Sequence, residues 1–560
     1  MKEKNLIRKA TFFIGISLNL VLVVIFYVMT DKYILNIPHA DEYGTALHWL
    51  MRYLDVDSDW GKIKILFSQA NEHRIFTCYL ATLSDYKIFG SLNFTRMLWY
   101  ANLAMIPLVL IMISHLKTGK KNPWFMLPVM LLMFIPQAEV HNWGVVALAA
   151  VYQYIFAFLA MMLLAKQGWL SFAGAAILAF FTTFTFGNGM LIFISGYLVL
   201  AIVHPRNTIR FIGWSVAMIV IVGLYFNDFN FSAGVGFNTY FMQQPLLTLQ
   251  HFLIFFGSIF HSFFLGSLNL LTVSGFVVML AFGLLIFFKW KEIKNYPVAL
   301  AMMLFIILSA GAASVNRVSM GLMSATSPRY IMYQAVFLAL LYIIAIDLWK
   351  KYHTLILVLV LVASSLLYVW RLELNHQYFE YHQAGLKDQI FYYHTNFNRI
   401  KSSNPKVIKT TIDKCIKKGI YTPPSVNELY PEITSLNLEF PANYSERILY
   451  TVDDPELDST TLVLNGWAFS ENYQRKNQIT IIALQSDSVF LTFSVINTKR
   501  KDVQNHFKQT YPNLHLNTGF QSHLAKKWHN IPTGKYRLGV GIAENGIITH
   551  FRLTDIEVSF

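Results

Sequence analysis

The chain has 560 residues, of which 55% are hydrophobic and only 14% are charged. Soluble proteins usually carry about a quarter charged residues, so this composition excludes an ordinary soluble domain and predicts an integral membrane protein. The net charge is +14, but Lys and Arg stand in short clusters between apolar runs, which orients membrane spans and excludes a nucleic-acid partner. The two cysteines, Cys78 and Cys415, have no metal-ligand spacing and imply no disulfide framework.

Apolar runs long enough to span a bilayer begin close to the N-terminus. A helix needs roughly 20 apolar residues to cross the hydrocarbon core. The basic segment 1–10 leads into the first run without a small-residue cleavage site, so we interpret that run as a retained span rather than a removed signal peptide. The sequence predicts about 11 transmembrane helices, at 11–30, 97–115, 123–136, 143–165, 169–186, 189–204, 211–226, 270–288, 297–314, 330–348 and 354–370.

One further apolar stretch, 247–266, is ambiguous by length, and charge decides it. Short cytoplasmic loops carry an excess of Lys and Arg. With a cytoplasmic N-terminus, all the basic clusters stay cytoplasmic only if 247–266 lies in the interface or re-enters. These clusters are Lys117/Lys120/Lys121, Lys166, Arg206/Arg210, Lys289/Lys291/Lys294 and Lys350/Lys351. We therefore expect residues 118 and 292 inside, residues 60, 235 and 450 outside, and an extracytoplasmic C-terminal domain.

The segment 31–96 is a long outer loop directly after the first span. Its apolar residues recur at helical spacing in two stripes, which predicts two amphipathic helices on the membrane surface. The first helix is predicted to begin at residues 38–42 and the second near residues 71–74. The stripes are Tyr43, Ala46, Leu47, Leu50, Met51 and Leu54 in the first helix, and Phe76, Tyr79, Leu80 and Leu83 in the second.

Asp41 and Glu42 stand at the predicted start of the first surface helix. Acidic residues favour a helix N-terminus, and Asp41 would serve as a cap there. The functional alternative is a carboxylate held at the membrane surface as a general base, where a lipid-borne substrate meets a water-borne one. Sequence alone leaves both interpretations open.

The predicted outer loop 315–329 contains Arg317 and Arg329, whereas the short outer loops at 137–142, 187–189 and 227–246 contain no Lys or Arg. The two arginines could be snorkelling anchors at the end of a span. Alternatively they form an anion site, because the planar guanidinium fork can bind phosphate through two hydrogen bonds.

Four short motifs in this order resemble those of the GT-C superfamily of polytopic membrane glycosyltransferases. The first resembles the Asp-Glu motif of protein O-mannosyltransferases, and the others resemble pieces of bacterial members. The resemblance covers roughly residues 1–370. The motifs are Asp41-Glu42, Asn71-Glu72-His73-Arg74-Ile75, Gly187-Asn188-Gly189 and Ser327-Pro328-Arg329-Tyr330.

The resemblance implies an inverting hexosyl or pentosyl transfer in the bacterial cytoplasmic membrane. The implied donor is an undecaprenyl-phosphate sugar or a similar lipid-linked sugar, and the acceptor is a cell-envelope glycan or lipid-linked glycan. Asp41 or Glu42 would be the base, and Arg329, Arg317 and Tyr330 would bind the donor phosphate. Glu72, His73 and Arg74 form a second polar cluster in the same loop, as solvent-facing caps or as acceptor contacts. Glu139 and His141 join them on the predicted outer side, and Asn188 is a further candidate contact to acceptor or sugar. Trp143 is an interface anchor or a sugar-stacking platform.

No metal is required by this interpretation. The Asp-x-Asp motif of oligosaccharyltransferases is not evident at Asp41, and Asp55-Val56-Asp57 lies at the far end of its predicted helix. A divalent metal is compatible with the chemistry but has no clear motif. The same polar clusters leave two other classes open, a transporter or flippase of lipid-linked glycans and a non-enzymatic membrane scaffold. A transporter should show repeated halves and charge near the membrane midplane.

Beyond residue 370 the composition becomes polar, and no run is long enough to span. Residues 371–445 are predicted to form a helical connector, with one helix at Asn404–Gly419, and residues 446–560 a β-sandwich. The predicted strands are 461–464, 478–484, 489–495, 536–542 and 547–553, separated by turns such as Asn465-Gly466 and Glu544-Asn545-Gly546. Segments 464–468, 500–503 and 519–520 resemble an accessory sandwich of bacterial glycan-handling proteins. Trp467 is then a core residue or an exposed glycan contact.

Overall fold

The computed structural model describes residues 2–119, 122–231, 239–264, 266–402, 404–439, 444–470, 478–512 and 514–560. Three positions named in the topology prediction, Lys120, Lys121 and residue 235, lie outside these ranges. The chain divides into two compact units. The helical unit comprises Met1–Ala384 with Thr411–Thr422, and the C-terminal unit comprises Gly385–Thr410 with Pro423–Phe560.

Eight helices within the described ranges are long and apolar enough to cross a membrane, so the chain is a multi-pass membrane protein. They are Leu6–Tyr33, Phe94–Ser114, Gly144–Leu164, Thr208–Phe226, Leu268–Ile293, Pro297–Met320, Pro328–Leu348 and Lys350–His394. Shorter apolar helices cover the three remaining predicted spans and the ambiguous stretch, at Pro123–Met133, Trp169–Thr185, Gly187–Val203 and Pro245–Phe260. The number of crossings stays a prediction.

Proline and glycine mark the ends of several helices, and the remaining helices are short. Prolines begin Pro245–Gly257 and Pro297–Arg317, where a missing amide proton costs nothing. Gly90, with a φ of 74°, ends Phe76–Phe89 in the left-handed conformation. The other short helices and helical turns are Tyr43–His48, Trp49–Leu54, Asp59–Leu66, Ala138–His141, Thr239–Gln243, Val318–Met320, Leu322–Thr326, Pro328–Tyr330, Phe397–Arg399, Pro405–Lys417, Val426–Leu429 and Lys501–Phe507.

The helical unit buries its apolar faces around Gly144–Leu164 and Ile331–Leu348. Both helices hide most of their side chains, including Tyr154, Phe158 and Ile343. Small buried residues on Gly144–Leu164, such as Ala157 and Ala160, let neighbouring helices approach closely. Thr208–Phe226 and Leu268–Ile293 instead leave many apolar side chains exposed, as expected for surfaces that face lipid.

Several basic loops meet at one end of the helical unit, which we call the basic end. The amides of Lys117 and Thr118 donate to Asp347, and the Lys117 ammonium donates to the Asn295 carbonyl at 3.2 Å. Arg210 donates to the carbonyl of Lys166 at 2.8 Å. His115 stacks on Phe158, near the C-terminal end of Gly144–Leu164. This contact places the loop around Lys117 close to the loop around Lys166. The basic end comprises residues 115–119, 165–168, 204–210, 289–296 and 347–352.

The opposite end contains the predicted outer loops, and we call it the hairpin end. Glu42 contacts the start of Gly144–Leu164. Thr77 contacts Thr185 at 2.6 Å, and Arg74 contacts the end of Thr208–Phe226. Arg317 lies 3.8 Å from Glu72. The hairpin end therefore comprises residues 34–93, 137–143, 185–191, 225–231 and 314–330.

The ambiguous stretch contacts the hairpin end and the helix Ile331–Leu348 that follows it. His251 lies between Ser314 and Ser324, and Ser258 accepts a hydrogen bond from Gln334 at 2.6 Å. Ser314 and Gln334 flank the loop 318–330, and Ser324 lies within it. The arrangement favours the prediction that this stretch does not cross the membrane.

The outer loop 31–96 contains more elements than predicted. Tyr43–His48 and Trp49–Leu54 form the first surface helix, and they bury Tyr43, Ala46, Leu47, Leu50 and Met51 as predicted. An additional helix, Asp59–Leu66, follows. The second predicted helix begins at Phe76, because the residues before it form a hairpin of β1 (Gln69–Ala70) and β2 (His73–Arg74). Leu80 of the second stripe is 44% exposed.

The described residues of the C-terminal unit form two antiparallel sheets. The five-stranded sheet has the order β11-β10-β6-β7-β3, and the four-stranded sheet has the order β4-β5-β9-β8. All five predicted strands are confirmed, whereas β3, β4, β8 and β9 were not predicted. The strands are β3 (Ser435–Leu436), β4 (Ile448–Leu457), β5 (Thr461–Ser470), β6 (Gln478–Gln485), β7 (Phe490–Ser494), β8 (Ile496–Thr498), β9 (Gly519–Ala525), β10 (Lys535–Glu544) and β11 (Ile547–Ser559).

One of the two predicted turns is wrong. Asn545 and Gly546 have positive φ and join β10 to β11 as predicted. Asn465 and Gly466 instead lie inside β5. A Cβ at Gly466 would lie 2.2 Å from the Thr451 carbonyl oxygen, so close backbone packing explains this glycine.

Trp467 belongs to an aromatic cluster in the C-terminal unit. Its ring is half-buried and packs on Phe469 and Phe507, with centroid distances of 5.7 Å and 5.5 Å. These contacts favour a structural role for Trp467 over an exposed glycan contact.

Candidate functional site

A polar cleft of about 310 Å³ lies at the hairpin end. Among the described residues that line it, Asp41 is the only acidic one. The side chain of Asp41 is exposed and forms no hydrogen bond or ion pair within the described ranges. The cleft is lined by Ala40, Asp41, Gly44, Thr45, His48, Trp49, Arg52, Gln69, Ala70, Asn71 and Tyr79.

Within the described ranges, the Asp41 carboxylate takes no part in the turn that begins the first surface helix. Ala40 has a φ of 46°, and this left-handed residue turns the chain into the surface helix. The carbonyl of Asp41, rather than its side chain, accepts the amide of Thr45 at 2.7 Å. Asp41 therefore does not cap the helix through its carboxylate, and the capping interpretation loses its support at this position.

Glu42 has the opposite environment, because its carboxylate is buried and accepts two backbone amides. One oxygen accepts the amide of His39 at 2.7 Å, and the other accepts the amide of Val145 at 3.1 Å. Burial raises the pKa of Glu42 to about 7 against the opposing effect of these amides. A Cβ at Gly144 would lie 2.7 Å from the carboxylate oxygen. Glu42 does not line the cleft and instead joins the turn to the start of Gly144–Leu164.

Residues 69–74 form a tight hairpin beside the cleft. Asn71, at the turn, has a φ of 49°, and Gln69 accepts the amide of Asn230 at 2.9 Å. Arg74 is buried and donates to three carbonyls, those of Phe67, Tyr225 and Asn227. Because these carbonyls occupy its guanidinium, Arg74 holds the hairpin in place and is not brought to the cleft.

The far side of the same hairpin meets both predicted phosphate-binding arginines. The guanidinium of Arg317 lies 3.8 Å from the exposed carboxylate of Glu72. Burial, against the opposing charge of Glu72 and with the positive charges of Arg317 and Arg329, lowers the pKa of His73 to about 4. His73 is therefore neutral at pH 7, and the structure brings Glu72, His73 and the two arginines together.

Arg329 lacks an acidic partner within the described ranges. Its Nε donates to Ser327 Oγ at 2.9 Å, and its guanidinium lies 5.8 Å from the centre of the Tyr330 ring. Tyr330 packs on Phe255 with a centroid distance of 4.9 Å. The terminal nitrogens of Arg329 thus remain available to an anion.

The other three predicted contact residues, Glu139, His141 and Asn188, lie in different environments. Glu139 is half-buried on Ala138–His141, which lies against the turn Pro328–Tyr330. His141 is buried, its Nδ1 accepts the amide of Gln137 at 3.0 Å, and burial lowers its pKa to about 3. Asn188 bonds to Gln153, Ser309 and Tyr333 between the helices. His141 and Asn188 are thus not brought to the cleft.

The sequence interpretation missed several residues that line the cleft. His48 and Arg52 lie on the polar face of the first surface helix, and that face was a usable signal. Burial lowers the pKa of His48, followed by the effect of Arg52. Gln69 had no signal, since the hairpin that brings it to the cleft was not predicted.

A larger depression of about 700 Å³ lies at the basic end, and the described residues that line it are 204–209. Among the described residues, no group of three or more His, Cys, Asp or Glu could hold a metal ion, and Cys78 and Cys415 are buried free thiols. Comparison with protein-family models, curated proteins and solved structures finds no match for this chain.

Proposed function

We propose that the chain is a membrane glycosyltransferase. It transfers a sugar, with inversion, from a polyprenyl-phosphate donor to a hydroxyl of a cell-envelope glycan or a lipid-linked acceptor. One observation carries this proposal. A single hairpin, residues 69–74, lines the Asp41 cleft on one side and contacts the region of Arg317 and Arg329 on the other.

The charge distribution supports an orientation for this site. The loops of the basic end carry most of the short basic clusters of the helical unit, which favours the cytoplasmic side. The hairpin end then faces outward from the bacterial cytoplasmic membrane. A lipid phosphate could reach it from the bilayer, and a glycan acceptor could reach it from water.

The proposed reaction needs one base and one anion site. Asp41 accepts the proton of the acceptor hydroxyl while that oxygen forms a bond to the anomeric carbon. The bond from the anomeric carbon to the donor phosphate oxygen breaks on the opposite face, and the phosphate keeps the electron pair. Arg329, with Arg317, stabilises the negative charge that develops on the phosphate. Attack opposite the leaving group inverts the anomeric centre.

The contrast between Asp41 and Glu42 assigns the base. The Asp41 carboxylate is exposed in the cleft, where an acceptor hydroxyl can approach it. Glu42 is enclosed by protein, and its two oxygens already accept backbone amides. We therefore assign the proton transfer to Asp41 and a structural role to Glu42.

The decisive experiment is a transfer assay with purified protein and a panel of polyprenyl-phosphate sugars. We expect sugar to move to an acceptor in the wild type and not in Asp41→Asn. A flippase would move the lipid across vesicles without transfer, and a scaffold would do neither. Full transfer by Asp41→Asn would remove Asp41 from the mechanism.

We further propose that the two sheets of the C-terminal unit pack face to face as an accessory sandwich. Strand β10 lies near β5, and β11 lies near β4, so the two sheets approach each other. The aromatic cluster around Trp467 supports a structural module.

A further inference from the structure

The short apolar helix Pro245–Phe260 is attached to the loop that carries Arg329. Its His251 is fully buried, and both ring nitrogens have partners. Nδ1 lies 3.0 Å from Ser314 Oγ on Pro297–Arg317, and Nε2 lies 3.0 Å from Ser324 Oγ in the loop 318–330. One imidazole therefore joins the end of a long helix to the loop that follows it.

The neighbours of Ser324 determine which atom donates in each hydrogen bond of His251. Ser324 Oγ has one proton and lies 2.8 Å from the carbonyl of Gly321 and 3.0 Å from that of Arg317. Since a carbonyl can only accept, the hydroxyl donates to one of these two and accepts from Nε2–H of His251. Nδ1 of the neutral ring then accepts the proton of Ser314.

The far end of the same helix is fixed independently. Gln334 donates to Ser258 Oγ at 2.6 Å. Arg371 donates to the carbonyls of Ser258 at 2.9 Å and Ile259 at 2.8 Å. The helix is thus held at its C-terminal end, while its middle holds the loop between Arg317 and Arg329.

We propose that His251 is a positioning residue for the anion site. Through Ser324 it fixes the loop 318–330, and this sets the separation of Arg317 and Arg329 that a lipid phosphate needs. The inference rests on the proposed function, because it names the part of the site that recognises the donor. A bidentate guanidinium loses binding energy when its orientation is lost, so a small loop movement should weaken donor binding.

Two substitutions separate the two hydrogen bonds of His251. The amide of Gln reaches the position of Nε2 and can donate to Ser324, whereas the amide of Asn reaches only the position of Nδ1. We expect about a tenfold weaker affinity for a short-chain polyprenyl phosphate in detergent for His251→Asn. His251→Gln should keep near wild-type affinity. Ser324→Ala should match His251→Asn, and it replaces that variant if His251→Asn does not fold.

Hydrogen exchange gives a readout that needs no substrate. Amides of residues 318–327 should exchange faster in His251→Asn and Ser324→Ala than in the wild type or His251→Gln. Unchanged exchange in these variants would overturn the bridge. Faster exchange with unchanged lipid-phosphate affinity would overturn the positioning role. If the loop and affinity change as expected but the wild type transfers no sugar from any donor, the glycosyltransferase proposal fails while the phosphate site stands.

Discussion

Asp347 and Arg210 at the basic end differ from Asp41 and Arg329 at the hairpin end in how their charges are bonded. At the basic end, Asp347 accepts two backbone amides and the hydroxyl of Tyr296, and Arg210 donates to two carbonyls. At the hairpin end, the Asp41 carboxylate has no partner within the described ranges, and Arg329 bonds only to Ser327 there. Charges bonded by the protein's own backbone stabilise the fold, whereas charges left free beside a cleft are available to a ligand.

The largest expected effect tests whether the two ends lie on opposite sides of the membrane. Single cysteines at Thr118 and Glu292 should be protected from a membrane-impermeant thiol reagent in intact cells, whereas cysteines at Trp60 and Tyr450 should react. The reason is the placement of the basic loops. The wild-type chain is the control, since Cys78 and Cys415 are buried. Labelling of position 292 from outside would show that Pro245–Phe260 crosses the membrane.

The next effect compares the two aspartates. Asp41→Asn should lower transfer by about a hundredfold or more, the usual contribution of a general base, and leave the melting temperature nearly unchanged. Asp347→Asn should lower the free energy of unfolding by about 1–3 kcal/mol, because its amide nitrogen cannot accept the backbone amides. Initial rates and thermal unfolding in detergent measure both. A destabilised Asp41→Asn with normal turnover would reverse the two roles.

His48→Gln is the matched control for Asp41→Asn. His48 lines the same cleft, and its imidazole is a second group there that could accept a proton from an acceptor hydroxyl. We expect His48→Gln to keep more than about a tenth of the wild-type rate, because loss of a general base lowers the rate by about a hundredfold or more. Inactive His48→Gln beside active Asp41→Asn would transfer the base to His48.

A smaller effect distinguishes geometry from charge at the anion site. Arg329→Ala should lower kcat/KM for the donor by about a hundredfold, comparable to loss of one oxyanion donor. Arg329→Lys should lower kcat/KM by about tenfold, because Lys keeps the positive charge but cannot form the two parallel hydrogen bonds of a guanidinium. The acceptor KM should change little in either variant. Wild-type rates in both variants would remove Arg329 from the site.

The smallest effect concerns stability and pH at Glu42. Its folded pKa of about 7 lies above the ordinary 4.5, so the folded protein binds more protons than the unfolded one between these values. Glu42 therefore contributes most stability below pH 4.5, and this contribution is lost as pH rises through 7. The free energy of unfolding should fall by at most about 1.4 kcal/mol per pH unit in that window. Melting temperatures of Glu42→Gln should show a flatter profile than the wild type, and equal slopes would contradict the buried carboxylate.

Local signals in the sequence were sufficient for much of the fold. Apolar runs located the long helices, since the signal for a span lies within the span itself. The Asn545–Gly546 turn was predicted for the same reason. Asn465-Gly466 has the same turn signal, but its environment includes Thr451 and Phe520 from neighbouring strands. Sequence patterns do not show such strand partners.

The site was less predictable because its roles depend on distant contacts. Asp41 and Glu42 are adjacent and chemically alike, yet Val145, 103 residues from Glu42, decides which one is buried. Arg74 was predicted to contact a ligand, but its guanidinium donates to the carbonyls of Tyr225 and Asn227. These residues are 151 and 153 positions from Arg74 in the sequence. The pair Arg317 and Arg329 could be singled out from the sequence, because the other short outer loops lack basic residues, and the structure places both near His73.

The contact between Glu42 and Gly144 also predicts how related sequences should vary. A side chain at 144 would collide with the carboxylate, so an evolutionary change at either position should be accompanied by a change at the other. A shorter residue at 42 would relieve the restriction on 144, whereas Glu at 42 would retain glycine there. This co-variation, between positions about a hundred residues apart, gives a criterion for recognising distant homologues that share the turn presenting Asp41.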